Sequence, residues 1–150
     1  MRLRVLLADD YAMFRTAMRM LLEMDPDIEV VAEVTDGDSV LAAVGESRPD
    51  VVCMDLSMPG LNGVEATRQI LATCAEVKVI ALSAHVESYR IAEMIDAGAL
   101  GYVVKMRAGT ELAPAIRLVS LNQPYFSPEL GLDGTAIGKG RDPRSLMARP

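Results

Sequence analysis

Val5-Leu6-Leu7-Ala8-Asp9-Asp10 is the stretch from which the rest of the chain can be read: four apolar residues run straight into two carboxylates. A second stretch repeats the pattern, with Val51-Val52-Cys53-Met54 ending in Asp55. Short apolar runs bounded by polar residues read as buried strands. In an open parallel sheet, ligands bind in the crevice beyond the carboxyl ends of the strands, so acids at two such ends converge on one point. Three anions crowded there repel one another. A hard divalent cation, magnesium or calcium, relieves that repulsion because it takes oxygen ligands. Asp9, Asp10 and Asp55 therefore predict a metal site.

Two later strand ends add groups that suit the same edge. Lys78-Val79-Ile80-Ala81-Leu82 ends in Ser83, a hydroxyl donor, and Gly101-Tyr102-Val103-Val104 ends in Lys105, a mobile ammonium. Three acids, one hydroxyl and one cation can hold a metal, offer a carboxylate nucleophile and neutralise the oxygens of a transferring phosphoryl group. The chemistry they predict is phosphorylation of an aspartate. Alone, each group has a plainer use: an acid pair caps a helix, Ser83 makes a turn, and Lys105 sits in solvent.

Around these ends, strands and helices alternate as five βα units, the pattern of a parallel α/β sheet covered on both faces. Phe14, Met18, Leu21 and Leu22 fall at helical spacing after the first strand, and Ile28 to Val34 form the second. Asp36-Gly37-Asp38 caps a short helix that ends near Arg48-Pro49. The turn formers from Leu56 to Gly63 precede a helix through Ala66, Ile70 and Leu71. A helix from about Glu87 to Ala97 stops at Gly98, and the last runs from a Thr110 cap to about Leu121, with Pro114 near its first turn.

The 150 residues, 51% hydrophobic and 4% aromatic, suit one domain with an aliphatic core. A net charge of -6 argues against a nucleic-acid surface. Cys53 and Cys74 lack metal-ligand spacing and read as reduced thiols of a cytoplasmic protein. Met1-Arg2-Leu3-Arg4 leads into an apolar run too short for export or membrane insertion. The ten methionines suit packing and interface contact. No Gly-rich phosphate loop follows the first strand, which weakens a nucleotide-enzyme reading.

Taken in order, Asp9-Asp10, Asp55-Leu56-Ser57-Met58-Pro59-Gly60, Ser83 and Gly101-Tyr102-Val103-Val104-Lys105 resemble the receiver domain of two-component response regulators. Met58 to Arg68 and Asn122 to Leu130 resemble the NarL/FixJ subfamily, whose members usually carry a LuxR-type helix-turn-helix output domain. The resemblance implies a doubly wound, five-stranded, flavodoxin-like sheet. It implies that Asp55 accepts a phosphoryl group from a sensor histidine kinase. Asp10, Asp55 and the Ser57 carbonyl would hold Mg2+, with Asp9 acting largely through water. Lys105 would pair with the phosphoryl oxygens and Ser83 would hydrogen-bond one of them. Tyr102 would turn inward as Ser83 moves. Such a protein is a phosphoacceptor switch that catalyses its own phosphorylation and dephosphorylation, not an enzyme with a released product.

The same resemblance divides the chain into a phosphoreceiver over residues 1–121 and a linker or disordered tail over 122–150, where Pro and Gly replace apolar periodicity. The output domain is expected to be absent or truncated, so DNA would be reached only through a domain this chain does not contain. Homodimerisation on activation is implied, and no membrane partner. Tyr11 and Met106 depart from the commoner residues beside the acid pair and the lysine, and His85, the single histidine, reads as a loop residue that could tune hydrolysis. Two other readings stay open: an interaction module that signals without phosphate, and a phosphohydrolase using an aspartyl intermediate. The second lacks the Asp-x-Asp arrangement of the haloacid-dehalogenase phosphatases.

Overall fold

The computed structural model describes residues 2–84 and 88–130. Strands β1 (Leu3–Ala8), β2 (Ile28–Val34), β3 (Val51–Asp55), β4 (Lys78–Ser83) and β5 (Gly101–Val104) alternate with helices α1 (Ala12–Glu23), α2 (Val40–Ser47), α3 (Gly63–Thr73), α4 (Ser88–Asp96) and α5 (Ala108–Ser120). A short β6 (Tyr125–Phe126) completes a sheet of order β2-β1-β3-β4-β5-β6, and every pair is parallel. This is the α/β parallel architecture expected, with one strand more than the five that were read.

Successive residues of a strand face opposite sides of the sheet. Leu6 and Ala8, Val52 and Met54, and Val79 and Ala81 join a core with α2, α3 and α4 residues such as Val44, Ile70 and Met94. Val5 and Leu7, Val51 and Cys53, and Ile80 and Leu82 face the other way, onto Met18 and Leu22 of α1 and Leu112 and Ile116 of α5. Both faces are covered, which is why these strands are apolar throughout. Burial pushes the Cys53 thiol up to about 12, so it packs as a small hydrophobe, and both cysteines are free.

Several ends follow the sequence closely. The Asp36 side chain accepts the Ser39 N–H at the start of the turn before α2, and α2 stops at Arg48 in a left-handed conformation. Gly98, at φ +109, ends α4 by donating to the Ile95 carbonyl at 3.0 Å, the close that an αL glycine permits.

Three details differ from the expectation. Helix α5 begins at Ala108, not at a Thr110 cap; the Thr110 hydroxyl donates to the Arg107 carbonyl. Pro114 consequently lies inside the helix beyond its first turn, where it removes one main-chain hydrogen bond. Part of the stretch read as linker belongs to the sheet: Gly101 and Tyr102 pair with Tyr125 and Phe126, and Ser127, 1% exposed, accepts the Val104 N–H at 3.0 Å. Two strand residues carry no readable periodicity, so pairing supplied by β5 decides this segment. Residues 131–150 and His85 lie outside the described residues. Among the described residues, no helix is long and apolar enough to cross a membrane.

Candidate functional site

The parallel registers bring four strand ends to one edge. Ala8 is level with Met54, Asp55 with Leu82, and Ser83 with Val104, so the residues that follow emerge side by side. The chain passes from β1 outward to β2 and returns across β1 to β3, which makes the β1/β3 edge the crevice of the sheet.

Asp9 and Asp55 are each 2% exposed, whereas Asp10 faces solvent. Carboxylate oxygens of all three lie within 4.8 Å of one another. Lys105 enters from the end of β5: Nζ is 2.8 Å from Asp9 Oδ2 and 3.4 Å from Asp55 Oδ2. Two of the acids also serve their own loops. Asp9 Oδ1 accepts the Tyr11 N–H at 2.8 Å, and Asp55 Oδ1 accepts the Ser57 N–H at 3.0 Å. Asp9 Oδ2 is buried and has the Lys105 ion pair but no well-directed hydrogen bond.

Burial raises the Asp55 carboxyl above its usual range, and the Asp9 charge adds to the rise; the Ser57 N–H and Lys105 oppose it. For Lys105, burial works against the charge, but the close contact with Asp9 and the charges of Asp55 and Asp9 outweigh it and hold the ammonium above its usual value. Three carboxylates against one ammonium leave excess negative charge in a partly buried crevice. An all-oxygen donor set with an under-satisfied buried Oδ2 suits a hard divalent cation.

The loop after Asp55 is held against its neighbour. Gly37 N–H donates to the Pro59 carbonyl at 3.1 Å, and Gly60 takes φ +82 beside Asp38. The Asn62 side chain accepts the Glu65 N–H to start α3. A Cβ on Gly63 would lie 2.8 Å from Leu56 Cδ2 and 3.3 Å from the Asp55 carbonyl oxygen, so glycine permits the helix to begin directly beneath the acid. Ser57 is exposed on this loop, two residues past Asp55.

Ser83 is fully buried at the end of β4. Tyr102, also fully buried, is level with Ala81 on the neighbouring strand and lies in the core shared with Met94 and Ile95. Tyr11 and Met106, at 58% and 92% exposure, flank Asp10 and Lys105 in sequence. Two contacts had no counterpart in the sequence reading. The Phe14 ring centroid lies 4.6 Å from Lys105 Nζ, although helical spacing marks Phe14 only as a core residue. Arg15 Nη1 donates to the Asp9 carbonyl at 2.7 Å while its Nε pairs with Glu33 of β2 at 2.8 Å, clamping the acid turn from outside. The sole sequence signal for either is position: both lie in the first turns of the helix that follows the acids.

Comparison with known proteins sets this geometry beside others. The family described as Response regulator receiver domain matches residues 5–117. The transcriptional regulatory protein LiaR of Bacillus subtilis (strain 168) is 41% identical over 128 residues, covering 85% of this chain and 61% of LiaR. The response regulator UvrY of Escherichia coli (strain K12) is 40% identical over 128 residues, covering 85% of this chain and 59% of UvrY. The crystal structure of a LuxR-family two-component response regulator from Aurantimonas sp. SI85-9A1 superposes with a TM-score of 0.83 at 33% identity, covering 94% of this chain and 99% of that one. The chain thus spans about three-fifths of the length of these two curated relatives.

Proposed function

The chain belongs to the response regulator receiver family, and from that premise we propose that it is a magnesium-dependent phosphoreceiver whose Asp55 takes a phosphoryl group from a sensor histidine kinase. The observation that carries this reading is the Lys105 ammonium, 2.8 Å from Asp9 and 3.4 Å from Asp55 beside a cluster of three acids. Its relatives agree with the NarL/FixJ resemblance of the sequence.

In this reading Asp9, Asp10 and Asp55, with the Ser57 carbonyl, would hold Mg2+, whose charge would offset that of the acids and of the phosphoryl oxygens. The Asp55 carboxylate attacks phosphorus as the bond to the kinase imidazole breaks, and the imidazole leaves with its electron pair and takes a proton. Lys105 shifts from the carboxylates to the new phosphoryl oxygens, and the Ser83 hydroxyl hydrogen-bonds one of them. Hydrolysis returns the carboxylate when water attacks the same phosphorus, the Asp55 O–P bond breaks, and inorganic phosphate leaves as water's proton passes to phosphate or solvent. The product of the cycle is a conformation: Ser83 is level with Val104 and Ala81 with Tyr102, so displacement of Ser83 is relayed to the Tyr102 core.

The receiver comprises residues 1–121 together with the β6 segment. Activation promotes homodimerisation, in the cytoplasm, and any DNA contact belongs to a LuxR-type output domain and not to the receiver. The deciding experiment is intact mass after incubation with acetyl phosphate and magnesium. Wild type should gain one phosphoryl group; Asp55→Asn and a chelated control should gain none. An adduct on Asp55→Asn would overturn the assignment of the acceptor.

A further inference from the structure

Lys105 has three N–H donors and a flexible four-carbon stem, and its side chain is 20% exposed. Two of its neighbours are the carboxylates of Asp9 and Asp55, at 2.8 and 3.4 Å. Both change their engagements in the proposed cycle, because a cation draws on the same oxygens and Asp55 becomes an acyl phosphate. The third neighbour is the face of Phe14, its centroid 4.6 Å from Nζ. That ring neither ligates a metal nor exchanges with phosphate. It is partly buried and packs against the core formed with Met18 and Leu112, so its position is set by α1 and not by the site's occupancy.

We propose that Phe14 is a positioning residue for Lys105, holding the ammonium over the acceptor by cation–π attraction while its carboxylate and phosphoryl partners exchange. The inference rests on the phosphoreceiver reading and deepens it. A cation is attracted to the whole ring face, so the contact tolerates the small lateral shift from carboxylate to phosphoryl oxygen. A directed hydrogen bond would resist that shift. Without the ring, the lysine stem is free to swing toward solvent, and the charge must be recaptured at each turnover instead of being preorganised. An aliphatic residue at 14 would preserve packing and lose the attraction.

The test replaces Phe14 by its mono-, di- and trifluorinated analogues, which keep the shape and progressively weaken the ring quadrupole, alongside Phe14→Leu and Phe14→Tyr. The readouts are the rate of adduct formation with acetyl phosphate and magnesium, and the proton shift of the Lys105 ε-methylene, which the ring current moves upfield. The rate should fall stepwise with fluorination and by roughly two- to tenfold in Phe14→Leu, and stay within about twofold in Phe14→Tyr. The upfield shift should shrink stepwise with fluorination, persist in Phe14→Tyr and vanish in Phe14→Leu. A flat rate across the fluorinated series, with wild type phosphorylated normally, overturns the role of Phe14 and leaves the phosphoreceiver standing. A wild type that takes no adduct while the upfield shift is present overturns the phosphoreceiver reading, and the inference with it.

Discussion

Lys105 is closer to Asp9 than to Asp55, 2.8 Å against 3.4 Å, so the ammonium chiefly neutralises the acid that follows β1. Asp55 is left buried, beside a like charge, with a backbone N–H as its other direct support. The acidic cluster is therefore assembled at an electrostatic cost that a dication would relieve.

Magnesium should stabilise the fold, and Asp10 should govern how much. Asp10 is exposed, so replacing it leaves no buried group unpaired, and Asp10→Asn should fold as well as wild type. One-site binding at a hundred times the dissociation constant adds about 2.7 kcal/mol. Thermal denaturation by circular dichroism with and without magnesium should show that gain in wild type and much less in Asp10→Asn. Equal gains would remove Asp10 from the ligand set.

Stability without metal should fall as pH rises above the ordinary aspartate value of 3.8. Asp55 holds its proton more tightly in the folded than in the unfolded chain, so the folded state binds more protons between the two values and loses stability as they dissociate. Lys105 acts at the alkaline end: its contribution is complete below 10.5 and is lost as pH passes through its higher folded value. Urea denaturation in chelator should show the acid-side slope in wild type and not in Asp55→Asn. Parallel curves would contradict the raised Asp55 value.

Gly37→Ala should loosen the loop that follows Asp55. The added Cβ would lie 1.7 Å from the Leu61 carbonyl oxygen, and the partner in this collision is backbone, which no rotamer change can move. The Gly37 to Pro59 hydrogen bond would be broken as the loop retreats. A loss of about 2 kcal/mol or more is expected from overpacking of this kind. Unchanged stability in urea would mean that the two loops separate freely.

Ser127→Ala should weaken the strap that follows α5. Its hydroxyl accepts the Val104 N–H and donates to Glu111 Oε1 at 2.6 Å, joining β5, α5 and the β6 segment immediately before Lys105. Leaving the buried Val104 N–H without a partner should cost about 1–3 kcal/mol. Hydrogen exchange at Val104 should quicken more than at Leu6 of the central strand. Unaltered exchange at Val104 would show that another group takes the proton.

The sequence by itself determined the elements, and it did so through short-range rules. Apolar runs broken by Asp9, Asp55, Ser83 and Lys105 marked the strand ends, Asp36 and Gly98 marked helix boundaries, and the strict alternation of strand and helix required parallel crossovers. Parallel crossovers place all carboxyl ends on one edge, so the grouping of Asp9, Asp10, Asp55 and Lys105 was legible before any coordinate. Tertiary structure alone decided which of them touch. The preference of Lys105 for Asp9, the Phe14 ring over its ammonium and the Arg15 clamp on the Asp9 carbonyl depend on strand register and on how α1 lies across the sheet. The sixth strand and the interior position of Pro114 were hidden for the same reason. Two residues have no period, and a helix start without a side-chain cap has no local mark, so only packing against β5 and the α5 core fixes them.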